Sequence, residues 1–168
     1  MDNGKYNHYA YCEAVARKLK PIRHSDEKQQ FFKATEQDEI EDLEERMSEA
    51  SGILFIAING TESEFDWKNS DSLMERPSYL FAIVEQTEAG SSGTIFEAQQ
   101  HCKAIAMQVI AQMMLDYHEY KEGMELLDPS TFRMKGFGPL RNTYYGVLVG
   151  FSFDQGTNYE INPDIWEH

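Results

Sequence analysis

Gly52-Ile53-Leu54-Phe55-Ile56-Ala57-Ile58 is the stretch on which the fold turns. It is an almost unbroken apolar run bounded by glycines, the second being Gly60. A strand with one wet face would alternate, so a run this uniform suits a strand covered on both faces. It is expected at the centre of a sheet. Tyr79 to Glu85 repeats the pattern, with Pro77 just ahead of it, where a missing backbone donor does little harm. Residues 60–78 between the two runs are polar, and Phe65 and Trp67 alternate there with acids. That texture fits either a long hairpin arm or a flexible loop. Asn59-Gly60-Thr61 has the form of a glycosylation acceptor, but it reads more simply as a turn between strands.

Working outward, residues 5–19 place Tyr9, Cys12, Val15, Ala16 and Leu19 at helical spacing, and Pro21 follows to stop the helix. Gln30 to Ala34 reads as a short strand. Thr35 is then expected to cap a second helix over 36–49, with Asp38 at its third position and a narrow stripe of Ile40, Leu43 and Met47. Carboxylates all round that stripe place the helix on the outside of the fold. The longest helical pattern follows Ala89-Gly90-Ser91-Ser92-Gly93. Thr94 and Glu97 have capping-box spacing, and Ile95, Cys102, Ile105, Ala106, Val109, Ile110, Met113, Met114 and Tyr117 mark one face over about six turns. Methionines at this spacing are core packing before they are a binding face.

The last third reads as strands. Phe132, Met134 and Gly136 alternate with Arg133 and Lys135, and Tyr145, Val147, Val149, Phe151 and Phe153 line one side of 144–154. Gly136-Phe137-Gly138-Pro139 is expected to be the turn between them. The order helix, short strand, helix, two or three strands, long helix, two strands gives an α+β fold: an antiparallel or mixed sheet with the long helix packed across one face. Residues 1–154 are expected to form one domain. Residues 155–168 read as a tail that still carries Tyr159, Ile161, Ile165 and Trp166, and that docks on its own domain or on a neighbour.

Composition narrows the partners. The chain has 168 residues, enough for one ordinary core, and 41% of them are hydrophobic, which argues against disorder despite a net charge of -14. Twenty-nine acidic against 15 basic residues repel phosphate backbones and anionic lipid, so neither nucleic acid nor membrane is an expected partner. The charge is uneven, with four cations and no carboxylate between Arg17 and Arg23; a solvated helix end is the simpler reading of that patch. No apolar run reaches the roughly 20 residues of a membrane span, and the polar start does not resemble a signal peptide. A cytoplasmic protein is expected.

Chemistry needs a nucleophile with a base, paired carboxylates or a metal cluster. The five histidines are scattered, and His101 and His118 share the long helix but stand seventeen residues apart. Cys12 and Cys102 belong to no paired motif and read as buried core thiols. Glu64, Asp66 and Asp71 lack the spacing of a calcium loop and read as a solvated acidic loop. Gly90 to Gly93 is not a phosphate loop. No enzymatic activity, cofactor or metal is expected.

The long helix Thr94–His118, Gly138-Pro139-Leu140 and the closing strand Tyr145-Gly-Val-Leu-Val-Gly-Phe-Ser-Phe153, together with the amphipathic first helix, resemble the small tail-terminator, tail-completion and neck proteins of tailed phages and prophages. The likeness covers most of the chain as an order of elements, and only these stretches as residues. It implies a structural subunit that closes or joins a tail as a ring, such as a hexamer, through head-to-tail contacts with itself and with other tail or neck proteins. The acidic charge would suit a lumen through which DNA passes without sticking. In that setting Phe65 and Trp67 of the arm and Tyr159, Ile161, Ile165 and Trp166 of the tail are the candidate subunit contacts. Each reads equally as a packing residue of its own subunit. The acidic second helix is a feature that the resemblance leaves over. It points to the alternative of an intracellular acidic adaptor or inhibitor that offers carboxylates to a basic protein.

Overall fold

The computed structural model describes residues 5–36, 40–69, 72–88, 91–157 and 160–167. Its elements are α1 (His8–Lys18), β1 (Phe31–Thr35), α2 (Ile40–Arg46), β2 (Ile53–Asn69), β3 (Ser72–Gln86), α3 (Ser92–His118), β4 (Leu127–Leu140), β5 (Tyr144–Phe153) and β6 (Gln155–Gly156). The strands form one mixed sheet in the order β1-β2-β3-β5-β4, with β6 added to β3. Among the described residues only β1 and β2 pair in parallel, and α2 lies between them in the chain. The apolar run at 53–58 is therefore next to the centre, and β3 is the central strand.

Strand alternation sorts the core into two layers. Phe31, Phe55, Ala57, Phe81, Ile83, Val147, Val149, Phe151 and Phe153 point to the front, where Cys12, Val15 and Ala16 of α1 and Cys102, Ile105, Ala106, Val109 and Met113 of α3 cover them. Phe32, Ala34, Leu54, Ile56, Ala82 and Val84 point to the back and pack on Leu43 and Met47. Helices thus lie on both faces, because the narrow stripe of α2 has its own layer of strand residues to bury against. α2 is a seven-residue helix, so it covers only part of the back.

Local chemistry places the helix ends. Asn7 caps α1 by accepting from the Ala10 N–H at 3.1 Å. The cap of α3 is Ser91, whose side chain accepts from the Thr94 N–H, and Thr94 is already a helical residue whose hydroxyl donates to the Ser91 carbonyl. The expected capping box at Thr94 is therefore displaced by one turn, onto a second serine-threonine cap upstream. Thr35 ends β1 rather than capping α2, and Asp38 lies outside the described residues.

Two expected turns are strand instead. Asn59-Gly60-Thr61 lies inside β2, at a bulge where the register jumps from Asn59↔Tyr79 to Ser63↔Pro77. A side chain on Gly60 would place its Cβ 2.3 Å from the Ser78 carbonyl oxygen, so the glycine is what lets the two strands close at the bulge. Gly136-Phe137-Gly138-Pro139 belongs to the end of β4. The turn into β5 is Arg141-Asn142, both with positive φ, closed by the Thr143 N–H to the Leu140 carbonyl at 3.2 Å. The connection is thus three residues long, 141–143, between the paired Leu140 and Tyr144.

Candidate functional site

The long hairpin is an arm. Between Asn59 and Asn69, β2 continues past the last residue that pairs with β1, and β3 runs alongside it from Ser72. Ten residues of strand reach about 30 Å. Of the two readings left open for residues 60–78, the structure gives the ordered ribbon. Phe65 and Trp67, two residues apart on β2, share one side of it with their register partners Glu75 and Leu73 and with Ser63 and Pro77, and the Ser63 hydroxyl donates to the Glu75 carboxylate at 2.9 Å. Phe65 is 61% exposed and Trp67 56% exposed. The other side is charged: Arg76 reaches Asp66 and Asp154, each at 3.4 Å. Asp66, one of the acids weighed as a cation ligand, is thus held by an arginine, and Asp71 lies outside the described residues.

A buried aromatic knot fixes the root of this arm. His8, in the first turn of α1, is 3% exposed. Its Nε2 lies 2.7 Å from the carbonyl of Leu80, whose partner Ile58 is close to the bulge. The Tyr6 hydroxyl lies 2.8 Å from Nδ1. One neutral tautomer satisfies both contacts: Nε2–H donates to Leu80, and Nδ1 accepts from Tyr6. Burial drives the His8 pKa from 6.5 down to about 4, although the backbone hydrogen bonds to Leu80 and Ile58 oppose the change. Tyr6 stacks on Phe153 at 4.3 Å and meets Tyr79 edge-on at 5.2 Å, so the knot spans α1, β3 and β5. Burial likewise raises the Tyr6 hydroxyl well above its ordinary pKa, which keeps it a neutral donor.

The tail starts from the arm. Gly156 opposes Met74, and the Thr157 N–H donates to the Leu73 carbonyl, so the chain leaves antiparallel to β3 and heads for the arm tip. Beyond it, the Ile165 N–H bonds to the Asn162 carbonyl and the Asp164 N–H to the Asn162 side chain, which fold a single turn at Asn162–Ile165. Ile161 and Ile165 are each 77% exposed and Trp166 is 62% exposed. The structure therefore joins the arm and tail candidates through β6 and leaves their apolar groups open to solvent. Tyr159 lies outside the described residues.

The uncovered part of the back face forms a trough that the sequence reading missed. Two adjoining hollows, of about 480 and 370 Å³, share Glu36, Leu80 and Lys135. Ile58, Leu80 and Leu148 form the floor, Phe137 and Pro139 one end, and Arg133 the other. Gly150 makes room for the guanidinium, since a Cβ there would sit 2.8 Å from its central carbon. The legible signal was Arg133 and Lys135 on the side of β4 opposite Phe132 and Met134, facing a β5 whose back positions include Gly146 and Gly150.

Other titratable clusters are structural. Asp116 of α3, 3% exposed, accepts from the Tyr11 hydroxyl at 2.6 Å and the Gln112 amide at 2.8 Å, and pairs with Lys121 at 2.9 Å. Burial alone would raise its carboxyl, but these bonds outweigh it and hold the pKa below the ordinary value. Cys12 and Cys102 are buried free thiols, and burial pushes Cys102 up to about 12 and Cys12 further in the same direction. His101 pairs with Glu85 at 3.1 Å on the surface, and Arg17 is taken by Asp26 and Glu13. Among the described residues, no group of three or more His, Cys, Asp or Glu side chains is placed to hold a metal ion. Nor is any helix among them long and apolar enough to cross a membrane.

The fold and its surface define an α+β protein that carries an exposed aromatic arm, a tail joined to it and a cation-rimmed trough. No family model matches the chain. No curated protein matches it at a significant level.

Proposed function

We propose that the chain is a structural subunit that assembles with copies of itself into a ring through its arm and tail, as a tail-completion or tail-terminator subunit of a phage or prophage does. The observation that carries this is the arm: a ribbon of about 30 Å that leaves the core with Phe65, Trp67 and Leu73 on one side. A two-stranded ribbon on its own is marginal in water, and Phe65 and Trp67 stay more than half exposed on it, so a partner surface gives such a feature a physical reason. Rigid anchoring at the root by His8 and Tyr6 supports the same reading, since a fixed arm reaches a neighbour at one angle and lets a ring close. Other tail or neck proteins would meet the faces of the ring.

The acidic outer side of α2, where Glu41, Asp42 and Glu45 are exposed, favours a second reading, an adaptor for a basic protein. Light scattering over a concentration series, at low and moderate salt, separates the two. A ring subunit climbs from 19.4 kDa towards a closed multiple as concentration rises. A chain that stays at 19.4 kDa throughout refutes the ring and leaves the adaptor.

A further inference from the structure

We infer that the trough on the back of the sheet is the receptor for the tail of a neighbouring copy, with Ile161, Ile165 and Trp166 on its apolar floor and Asp164 and Glu167 against Arg133 and Lys135. The inference rests on the ring reading and adds to it where the tail lands.

Three observations converge. The first is that the trough wants an acidic, apolar occupant. Its floor of Ile58, Leu80 and Leu148 is a strip of sheet that α2 is too short to cover. Its rim holds two cations, Arg133 and Lys135, against one carboxylate, Glu36, and neither cation forms an ion pair among the described residues, in a chain of net charge -14. Where carboxylates outnumber cations nearly two to one, a pair of unengaged cations beside an apolar strip is a feature of recognition.

The second is that the tail has that chemistry. Between Ile161 and Glu167 it alternates apolar groups with Asp164 and Glu167 and holds no cation. The turn at Asn162–Ile165 is closed by its own hydrogen bonds, so part of the ordering cost is met before docking.

The third is direction. The tail leaves Leu73 towards the arm tip, whereas Leu80 of the trough lies seven residues back along β3, about 23 Å away. Reaching its own trough would require the tail to reverse. A second copy, placed head to tail along the arm, receives it without reversal.

The test uses the full-length chain and a fluorescent peptide of residues 157–167, followed by anisotropy. Saturable binding in the micromolar range is expected, weakening as salt rises. Lys135→Glu is expected to weaken it by about tenfold or more, as is Trp166→Ala in the peptide, while Lys103→Glu, an equal charge change on α3, leaves it unaltered. All three positions are exposed, so the variants fold. Absence of saturation at millimolar chain overturns the inference, as does equal weakening by Lys135→Glu and Lys103→Glu. A chain that assembles but does not take the peptide overturns this inference alone. A chain that takes the peptide at the trough yet never assembles supports the trough and overturns the ring.

Discussion

His8 makes stability depend on pH in a way that can be isolated. The folded protein holds it neutral down to about pH 4, whereas the unfolded chain protonates it near 6.5. Between those values the unfolded state binds the extra proton, so stability is complete above about pH 6.5 and falls as the solution is acidified. The gap corresponds to about 3 kcal/mol in full, of which about 2.5 kcal/mol is gone by pH 4.5. Carboxylates also titrate in this range, so the comparison must be with His8→Gln, which keeps a donor for the Leu80 carbonyl but cannot titrate. Urea denaturation at pH 7.5 is expected to show the variant less stable by about 1–2 kcal/mol, through the contact with Tyr6 that it loses. At pH 4.5 the difference should vanish or reverse, because only the natural chain is penalised. A difference that stays constant within about 0.5 kcal/mol across the two pH values would refute the buried neutral imidazole.

Further outcomes follow from single contacts. Gly60→Val pushes a side chain against the Ser78 carbonyl and should lower the unfolding free energy by about 1–3 kcal/mol, whereas Gly93→Ala, with nothing within 4 Å, should raise it by about 0.5–1 kcal/mol; chemical denaturation reads both. Asp116→Ala strands the buried bonds of Tyr11 and Gln112 and should cost about 2–3 kcal/mol at pH 7, measured in the same way. Because its carboxyl pKa is lowered in the fold, that cost should persist down to pH 4 and fade only below it. Neither Cys12 nor Cys102 should react with a thiol reagent at pH 8 until denaturant is added, since both are buried with raised pKa values.

The elements that the sequence disclosed best are those where one period dominates. The front stripe of α3 from Cys102 to Met113, the continuous run at 53–58 and the front row Val147–Phe153 each show one dominant pattern, and their centres are buried, residues 54–57 of the run fully so. What stayed hidden depends on contacts between distant segments. A glycine between strands reads as a turn until the partner strand is known, which is why Gly60 and Gly138 were misplaced while the true turn, Arg141-Asn142, carried no glycine at all. Buried polar residues were hidden for the same reason. His8, Gln30 and Asp116 look like surface residues until the carbonyls and hydroxyl that satisfy them arrive from β3, from residues 51–53 and from α1. Of the candidate site, the exposed aromatics of arm and tail were legible as apolar residues in polar surroundings. The trough was not, since it exists only where a short helix leaves a wide sheet uncovered.

The central claim is that the arm makes this chain a self-assembling subunit, and sedimentation velocity of the natural chain beside a Phe65→Ser, Trp67→Ser double variant tests it most directly. Both positions are exposed, so the variant should keep its fold and its 19.4 kDa monomer. The natural chain is expected to sediment as a closed multiple of that mass at high concentration while the variant remains monomeric. Equal behaviour of the two, whether both assemble or both stay at 19.4 kDa, would contradict it.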